Sequence, residues 1–313
     1  MILLYQQNER ADLYQGITQS IVKAIEANPG KGEMPWHRDH GNNGLPSNPT
    51  TGRHYSGINV LTLWVQASER RYRTSHWATY RQWQDIGAQV QKGEKGTTVV
   101  FYKKLGGAQE ELEAEINSKR PRYVMRASKV FNADQVEGYV PPEPKAKSLV
   151  EIIASAEQLI SSTGADIQHS GDRAFYHRKE DRIWMPEKER FVGTQTSDPT
   201  ESYYAVLLHE LTHWTGHETR LNRDLSGRFG TESYAMEELI AEFGAAFLCA
   251  DLGVTNGPRL DHAQYIANWL SVIKTDSRAL FTAASTASEA ATYLAAPPPT
   301  VIAPAAVELI ELK

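Results

Sequence analysis

A single cysteine, Cys249, occurs in 313 residues, so no intrachain disulfide can form and nothing points to an oxidising compartment. It lies in an apolar helical run and reads as core. Long apolar runs are also missing: none approaches the roughly 20 residues that span a bilayer. The start, Met1 to Gln7, is too short for a secretion signal and lacks its basic segment. The expectation is a cytoplasmic chain with no membrane partner. Histidine is scarce, 10 in all, which makes a cluster of them informative. No charge sign dominates the whole chain, whose net charge is −5, yet the balance is uneven. Residues 1–140 carry 18 Lys+Arg against 14 Asp+Glu, a net of +4, and the remainder carries 15 against 24, a net of −9. Spread over 173 residues, that acidity is too dilute to mimic DNA. The two halves are expected to meet different partners.

The length sets an expectation of two domains or one large one. Residues 11–28 read as an amphipathic helix, with Leu13, Ile17, Ile21 and Ile25 on one stripe and Asn28-Pro29-Gly30 as its stop. Ile58 to Val65 is a buried helix turn or a strand. Trp77 to Ile86 reads as a helix ending at Gly87, Thr97 to Lys104 as a strand, and Tyr123 to Phe131 as its partner. The acidic link from Gly106 to Ser118 between them is expected to be an exposed loop or short helix. Aromatic residues alternate with cations throughout this half: Trp36/Arg38, Arg53/Tyr55, Trp77, Tyr80/Arg81, Lys92, Lys95, and Tyr102/Lys103/Lys104. Single-stranded nucleic acid is held this way, bases stacking on rings while cations meet phosphates. The same residues also build ordinary cores, so the pattern carries little weight by spacing alone.

Pro141-Pro142-Glu143-Pro144 continues neither a helix nor a central strand and marks a boundary. The expected division is residues 1–140, a linker 141–148, a second unit 149–294 and a mobile tail 295–313. In the second unit Leu149 to Ser161 reads as a helix. Residues 166–169, 174–178 and 181–186 read as strands of a small antiparallel sheet that shields a following helix on one side. Residues 258–290 read as one or two packing helices.

That following helix carries His209-Glu210-Leu211-Thr212-His213. Spaced four apart, His209 and His213 project from one helix face and can share a metal ion. Glu210 between them can reach a water on that metal and take its proton, the zinc-hydrolase arrangement. The bland alternative is two histidines and an acid on a solvated face. His217 cannot close a tetrahedral site from the same helix, and the longer three-histidine pattern fails because Thr219 stands at its last position. A third ligand must come from elsewhere. On the run Tyr234 to Phe247, Glu238 and Glu242 stack at i,i+4, an unfavourable pairing unless a cation compensates. Glu238 as ligand, with Glu242 accepting a hydrogen bond from His209 or His213, fits that need. Glu237, on the opposite flank, is the second choice. Two histidines and a carboxylate suit Zn²⁺, and also Mn²⁺ or another divalent ion.

The chain resembles the ArdC-type antirestriction proteins, which are related to the N-terminal part of plasmid TraC-type primases. The resemblance runs from about Tyr14 to Leu294. It is carried by Pro35-Trp36, Tyr55-x-Gly57-Ile58-Asn59, Trp77-x-Thr79-Tyr80-x-Gln82, Lys92-Gly93-Glu94-Lys95-Gly96, Val130-Phe131-Asn132-x-Asp134-Gln135-Val136, Ala174-Phe175-Tyr176, His209-Glu210-Leu211-Thr212-His213 and Glu238-Leu239-Ile240-Ala241-Glu242. It implies an α+β fold, with an N-terminal single-stranded-DNA-binding domain followed by a zincin-like metallopeptidase domain. It also implies a plasmid setting in which conjugating DNA is protected from host restriction, and a host restriction or other protein as peptidase substrate. The Glu-x-x-x-Glu spacing looks like the third-ligand helix of gluzincin peptidases, which carry Asp at the last position.

The expected metal ligands are thus His209, His213 and Glu238, with Glu210 as general base and Glu242 and His217 behind them. Candidate donors to an oxyanion are His217, Tyr234 and Arg220. The rival expectation is a non-enzymatic single-stranded-DNA-binding protein whose metal is structural or vestigial.

Overall fold

A computed structural model describes residues 2–27, 34, 36, 44–105, 122–142, 148–193, 197–228, 231–255 and 262–296, and for 2–11, 102–105, 122–124 and 262–266 the backbone alone. Arg38, the 106–118 link, most of the proline-rich linker and the tail beyond Ala296 lie outside the described residues. In chain order the elements are α1 (Ile2–Glu26), β1 (Ser47–Asn48), β2 (Arg53–His54), α2 (Ile58–Arg70), β3 (Trp77–Thr79), α3 (Tyr80–Asp85), β4 (Gln89–Val90), β5 (Thr97–Leu105), β6 (Arg122–Asn132) and β7 (Val136–Glu137). They continue with α4 (Leu149–Thr163), β8 (Asp166–His169), β9 (Phe175–His177), β10 (Arg182–Met185), α5 (Pro199–Trp214), α6 (Glu232–Leu252), α7 (His262–Thr275) and α8 (Ala279–Ala295).

Residues 58–65 resolve as helix, within α2. Residues 77–86 do not form one helix. Trp77–Thr79 pairs with β6, and Thr79 then starts α3 through a capping box with Gln82. The reciprocal bonds satisfy two otherwise orphaned amides, and they place the strand-to-helix switch at Thr79. Strands β5 and β6 pair antiparallel from Thr97↔Val130 to Leu105↔Arg122, with β3 on the other side of β6.

The sheet before the histidine helix is mixed rather than antiparallel. Its order is β8-β10-β9, with β10 parallel to β8 and antiparallel to β9. The β9–β10 hairpin folds back between its own first strand and β8, so β10 takes the centre. There Ile183 and Met185 are fully buried against α5 residues Leu207, Leu208 and Leu211.

The largest apolar cluster crosses the expected boundary. Ile21 of α1, Leu61 and Trp64 of α2 and Val99 of β5 share it with Leu239 and Phe243 of α6 and Leu280 and Ala284 of α8. Helix α6 lies at the centre, one side on this cluster and the other (Ala245, Leu248, Cys249) on α5. It therefore reads as apolar nearly all round, as a fully packed helix must.

Candidate metal centre

Helix α5 is started by Asp198, whose carboxylate accepts from the Glu201 amide while Glu201 returns a bond to the Asp198 amide; Pro199 occupies its first turn. It ends at Trp214. Helix α6 approaches it closely because Gly244 faces Thr212: a β-carbon there would lie 2.5 Å from Thr212 Cγ2. That approach brings the acidic turn of α6 onto the two histidines.

The donors converge as follows. His209 Nε2 stands 3.6 Å from Glu238 Oε2, and His213 Nε2 stands 3.7 Å from Glu238 Oε1. One donor atom from each of the three residues lies within 4.8 Å of the others. Ligand atoms about 2.1 Å from a tetrahedral metal are roughly 3.4 Å apart, so this set suits a divalent ion with little movement. The opposite ring nitrogens meet carboxylates. His213 Nδ1 is 3.0 Å from Glu237 Oε1, and His209 Nδ1 is 3.8 Å from Glu242 Oε2. A metal-binding imidazole is commonly oriented by a hydrogen bond at its far nitrogen, as His213 is; the His209–Glu242 separation is beyond hydrogen-bond distance. Glu237 in turn receives two hydrogen bonds from Arg223, at 3.0 and 2.8 Å, and Arg223 also donates to the Thr212 carbonyl at 2.7 Å.

The electrostatics follow from this packing of acids. For His213, burial opposes the charged ring, but the bond to Glu237 and the charges of Glu238, Glu237 and Glu210 outweigh it and push the pKa up to about 9. The same carboxylates that favour a proton on the ring favour a cation beside it, so the two compete. For Glu238, burial pulls upward, while His209, His213 and the Tyr234 hydroxyl hold the carboxyl down at about 2. A permanently ionised carboxylate between two imidazoles is the donor chemistry a hard or borderline divalent ion takes.

These groups form the floor of a cleft of about 560 Å³ whose walls include Glu210, Tyr234, Tyr176, Phe175 and Val206. Glu210 is buried yet reaches the cleft beside both histidines.

Several expected residues stand elsewhere. His217 is not at the site; its ring bonds Thr219 Oγ1 at 2.9 Å, because the chain turns away after Trp214. Arg220 is consumed by Asp181, by the Trp214 carbonyl at 2.6 Å and by the Trp214 ring at 3.7 Å. Of the aromatics expected to stack on bases, Trp36, Tyr55 and Trp77 are core residues. Tyr55 donates to the Trp77 carbonyl at 2.9 Å and Trp36 donates to Glu242. Their burial removes the ring faces a base would need. Arg53, Arg81, Lys92 and Lys95 are exposed. Tyr102, Lys103 and Lys104 lie on β5, with side chains outside the described residues. Among the described residues of this half the exposed rings are Tyr80 (43%), which was expected, and Phe101 (46%), which lies directly opposite Arg126 in the β5–β6 register. Sequence reasoning missed Phe101 and Arg126, and Arg223 at the centre; Glu237, its second choice as a ligand, stands instead on His213 Nδ1 and Arg223. Strand alternation in a half-buried sheet was the signal available for Phe101.

Residues 11–131 match the model of the N-terminal domain of anti-restriction factor ArdC, and residues 154–286 match that of a zincin-like metallopeptidase. The antirestriction ArdC protein of plasmid R388 in its metal-free form aligns with a TM-score of 0.70 at 39% identity, covering 90% of this chain and 96% of that one. The chain belongs to the ArdC antirestriction family. The Mn(II)-bound form of R388 ArdC aligns with a TM-score of 0.68 at 39% identity, over 90% and 97% of the two chains. An uncharacterized protein, y4eC of Sinorhizobium fredii (strain NBRC 101917 / NGR234), is 43% identical over 286 residues, 90% of this chain and 91% of that one. The DNA primase TraC of Escherichia coli is 34% identical over 298 residues; they are 90% of this ArdC-family chain and 20% of TraC, so the likeness covers about a fifth of the primase. The fold is accordingly α+β with a zincin-like C-terminal part.

Proposed function

We propose that this protein is a plasmid antirestriction factor that binds single-stranded DNA through its N-terminal half and carries a metal-dependent peptidase-like centre at His209, His213 and Glu238. The setting is conjugation, and the compartment is the cytoplasm. Among the described residues no helix is long and apolar enough to cross a membrane. The observation that carries the reading is the convergence of both imidazole Nε2 atoms on Glu238 while Glu237 and Glu242 face their far nitrogens. Zn²⁺ suits this donor set, and the Mn(II)-bound relative supports a divalent ion, so Mn²⁺ is the alternative.

A divalent ion held there supplies Lewis acidity and lowers the pKa of water. Glu210 accepts the proton released by the attacking water and delivers it to the leaving amine. Tyr234 lines the cleft with its hydroxyl bonded to Glu238, and turning from that carboxylate to the carbonyl oxygen would let it meet the negative charge there. Strand β9 is an edge strand of its sheet, and Phe175 and Tyr176 line the same cleft, which offers an extended peptide a backbone ladder. The peptide would come from a host restriction protein or another host protein.

For DNA the stacking surfaces are Tyr80 and Phe101, with Arg81, Arg126, Lys95 and Lys129 exposed on the same N-terminal half. Plasmid transfer into restricting and non-restricting recipients tests the whole. Glu210→Gln should lose protection only in the restricting recipient if catalysis matters. Full protection by Glu210→Gln would instead make the protein a non-enzymatic DNA binder.

A further inference from the structure

Trp36 and Glu242 are 206 positions apart, yet the indole Nε1 donates a buried 3.0 Å hydrogen bond to Glu242 Oε1. The other oxygen of that carboxylate faces His209 Nδ1 at 3.8 Å, and the far nitrogen of the same imidazole faces Glu238. One carboxylate thus stands between an N-terminal indole and a metal-ligating ring. Trp36 cannot swing away: it is 1% exposed, edge-on to Phe243 with centroids 4.8 Å apart, and 6.5 Å from Trp269. A buried indole N–H needs an acceptor, but it does not need this one. Trp64 and Trp83 donate to the backbone carbonyls of Gly44 and Phe131. Trp36 donates instead to a carboxylate that faces the metal centre.

We propose that Trp36 is a positioning residue for the metal centre: it fixes the Glu242 carboxylate, which sets the orientation of His209. The inference rests on His209, His213 and Glu238 being the metal ligands. It makes Trp36, within the stretch matched to the ArdC N-terminal domain, a part of the zincin-like site. The centre is complete only when Trp36 is packed against Phe243 of α6.

The test is Zn²⁺ titration of the full-length protein against a chelating dye, on wild type, Trp36→Phe, Glu242→Gln and the double variant. Phenylalanine keeps a ring in the pocket and removes only the N–H and some volume, and circular dichroism selects a temperature at which all four are folded. Trp36→Phe should weaken Zn²⁺ binding about tenfold, the size typical when a group behind a ligand is lost. In the Glu242→Gln background it should have no further effect, because the two act in series. Co²⁺ substitution supplies a second readout: the visible bands of the bound ion should shift in Trp36→Phe, which lost packing alone would not produce. A Trp36→Phe affinity within about twofold of wild type, or the same loss in both backgrounds, overturns the proposal. Failure of wild type to bind Zn²⁺, or undiminished binding by His213→Ala, would sink the metal reading and this inference with it.

Discussion

Glu237 and Glu238 adjoin in sequence and have separate tasks. Glu238 faces both His Nε2 atoms, whereas Glu237 turns to His213 Nδ1 and Arg223. Both side chains of the Glu237–Arg223 pair are about nine-tenths buried, at 11% and 9% exposure. Removing Arg223 costs Glu237 two charge-assisted hydrogen bonds while His213 still faces it, so Arg223→Met should lower stability by about 1–3 kcal/mol in urea denaturation. A similarly paired acid gives a pH prediction. At Asp181 burial raises the pKa, but hydrogen bonds from Arg220 and Tyr176 outweigh it and hold the carboxyl below its usual range. A depressed carboxylate stabilises the fold above its unfolded pKa of about 3.9, and the contribution disappears as pH falls through the folded value. Stability should therefore fall more steeply with acid in wild type than in Asp181→Asn, as followed by thermal melts between about pH 5 and pH 2. The i,i+4 stacking of Glu238 and Glu242 makes those two residues legible in the sequence. Glu237 is harder, because a helix can turn either of two adjacent residues toward a neighbouring helix, and only the docking of α6 decides. Trp36, Tyr55 and Trp77 mislead for a related reason: an aromatic beside a cation looks the same whether its ring is buried or open.

At the scale of elements, the α5–α6 contact is what assembles the centre. Helix periodicity and the caps make both helices readable, and Gly244 is the feature on which sequence alone is silent. Alanine there would favour an isolated helix by about 1 kcal/mol, but it would also press a methyl into Thr212. Overpacking of that kind costs about 1–3 kcal/mol, so the steric effect wins. Gly244→Ala should lower both Tm and Zn²⁺ affinity, and adding Thr212→Ala should recover much of both, as read by calorimetry and metal titration. The mixed order of the β8-β10-β9 sheet is illegible because alternation reports burial, not strand direction. The strand-then-helix at Trp77–Asp85 is written in Thr79 and Gln82, whose capping box overrides the helical pattern around it.

Across the whole molecule, the two halves share a core through α6 and α8. The two main apolar clusters meet on opposite sides of α6, so neither half should unfold without disturbing the other. A single cooperative transition, identical by fluorescence and circular dichroism, is the expected result, and two separated transitions would argue for independent domains. The contacts that join the two halves lie hundreds of residues apart, as Trp36–Glu242 does, and no local pattern encodes them. For the N-terminal half, binding to single-stranded oligonucleotide should weaken steeply with salt, and Phe101→Ala should cost about 1–3 kcal/mol by fluorescence anisotropy. The central claim is the metal centre, and the most direct measurement is metal content of the purified, Zn²⁺-loaded full-length protein by mass spectrometry. One ion per chain is predicted in wild type and in Glu210→Gln, with loss in His213→Ala and Glu238→Ala. Equal metal in all four would contradict the assignment of His209, His213 and Glu238.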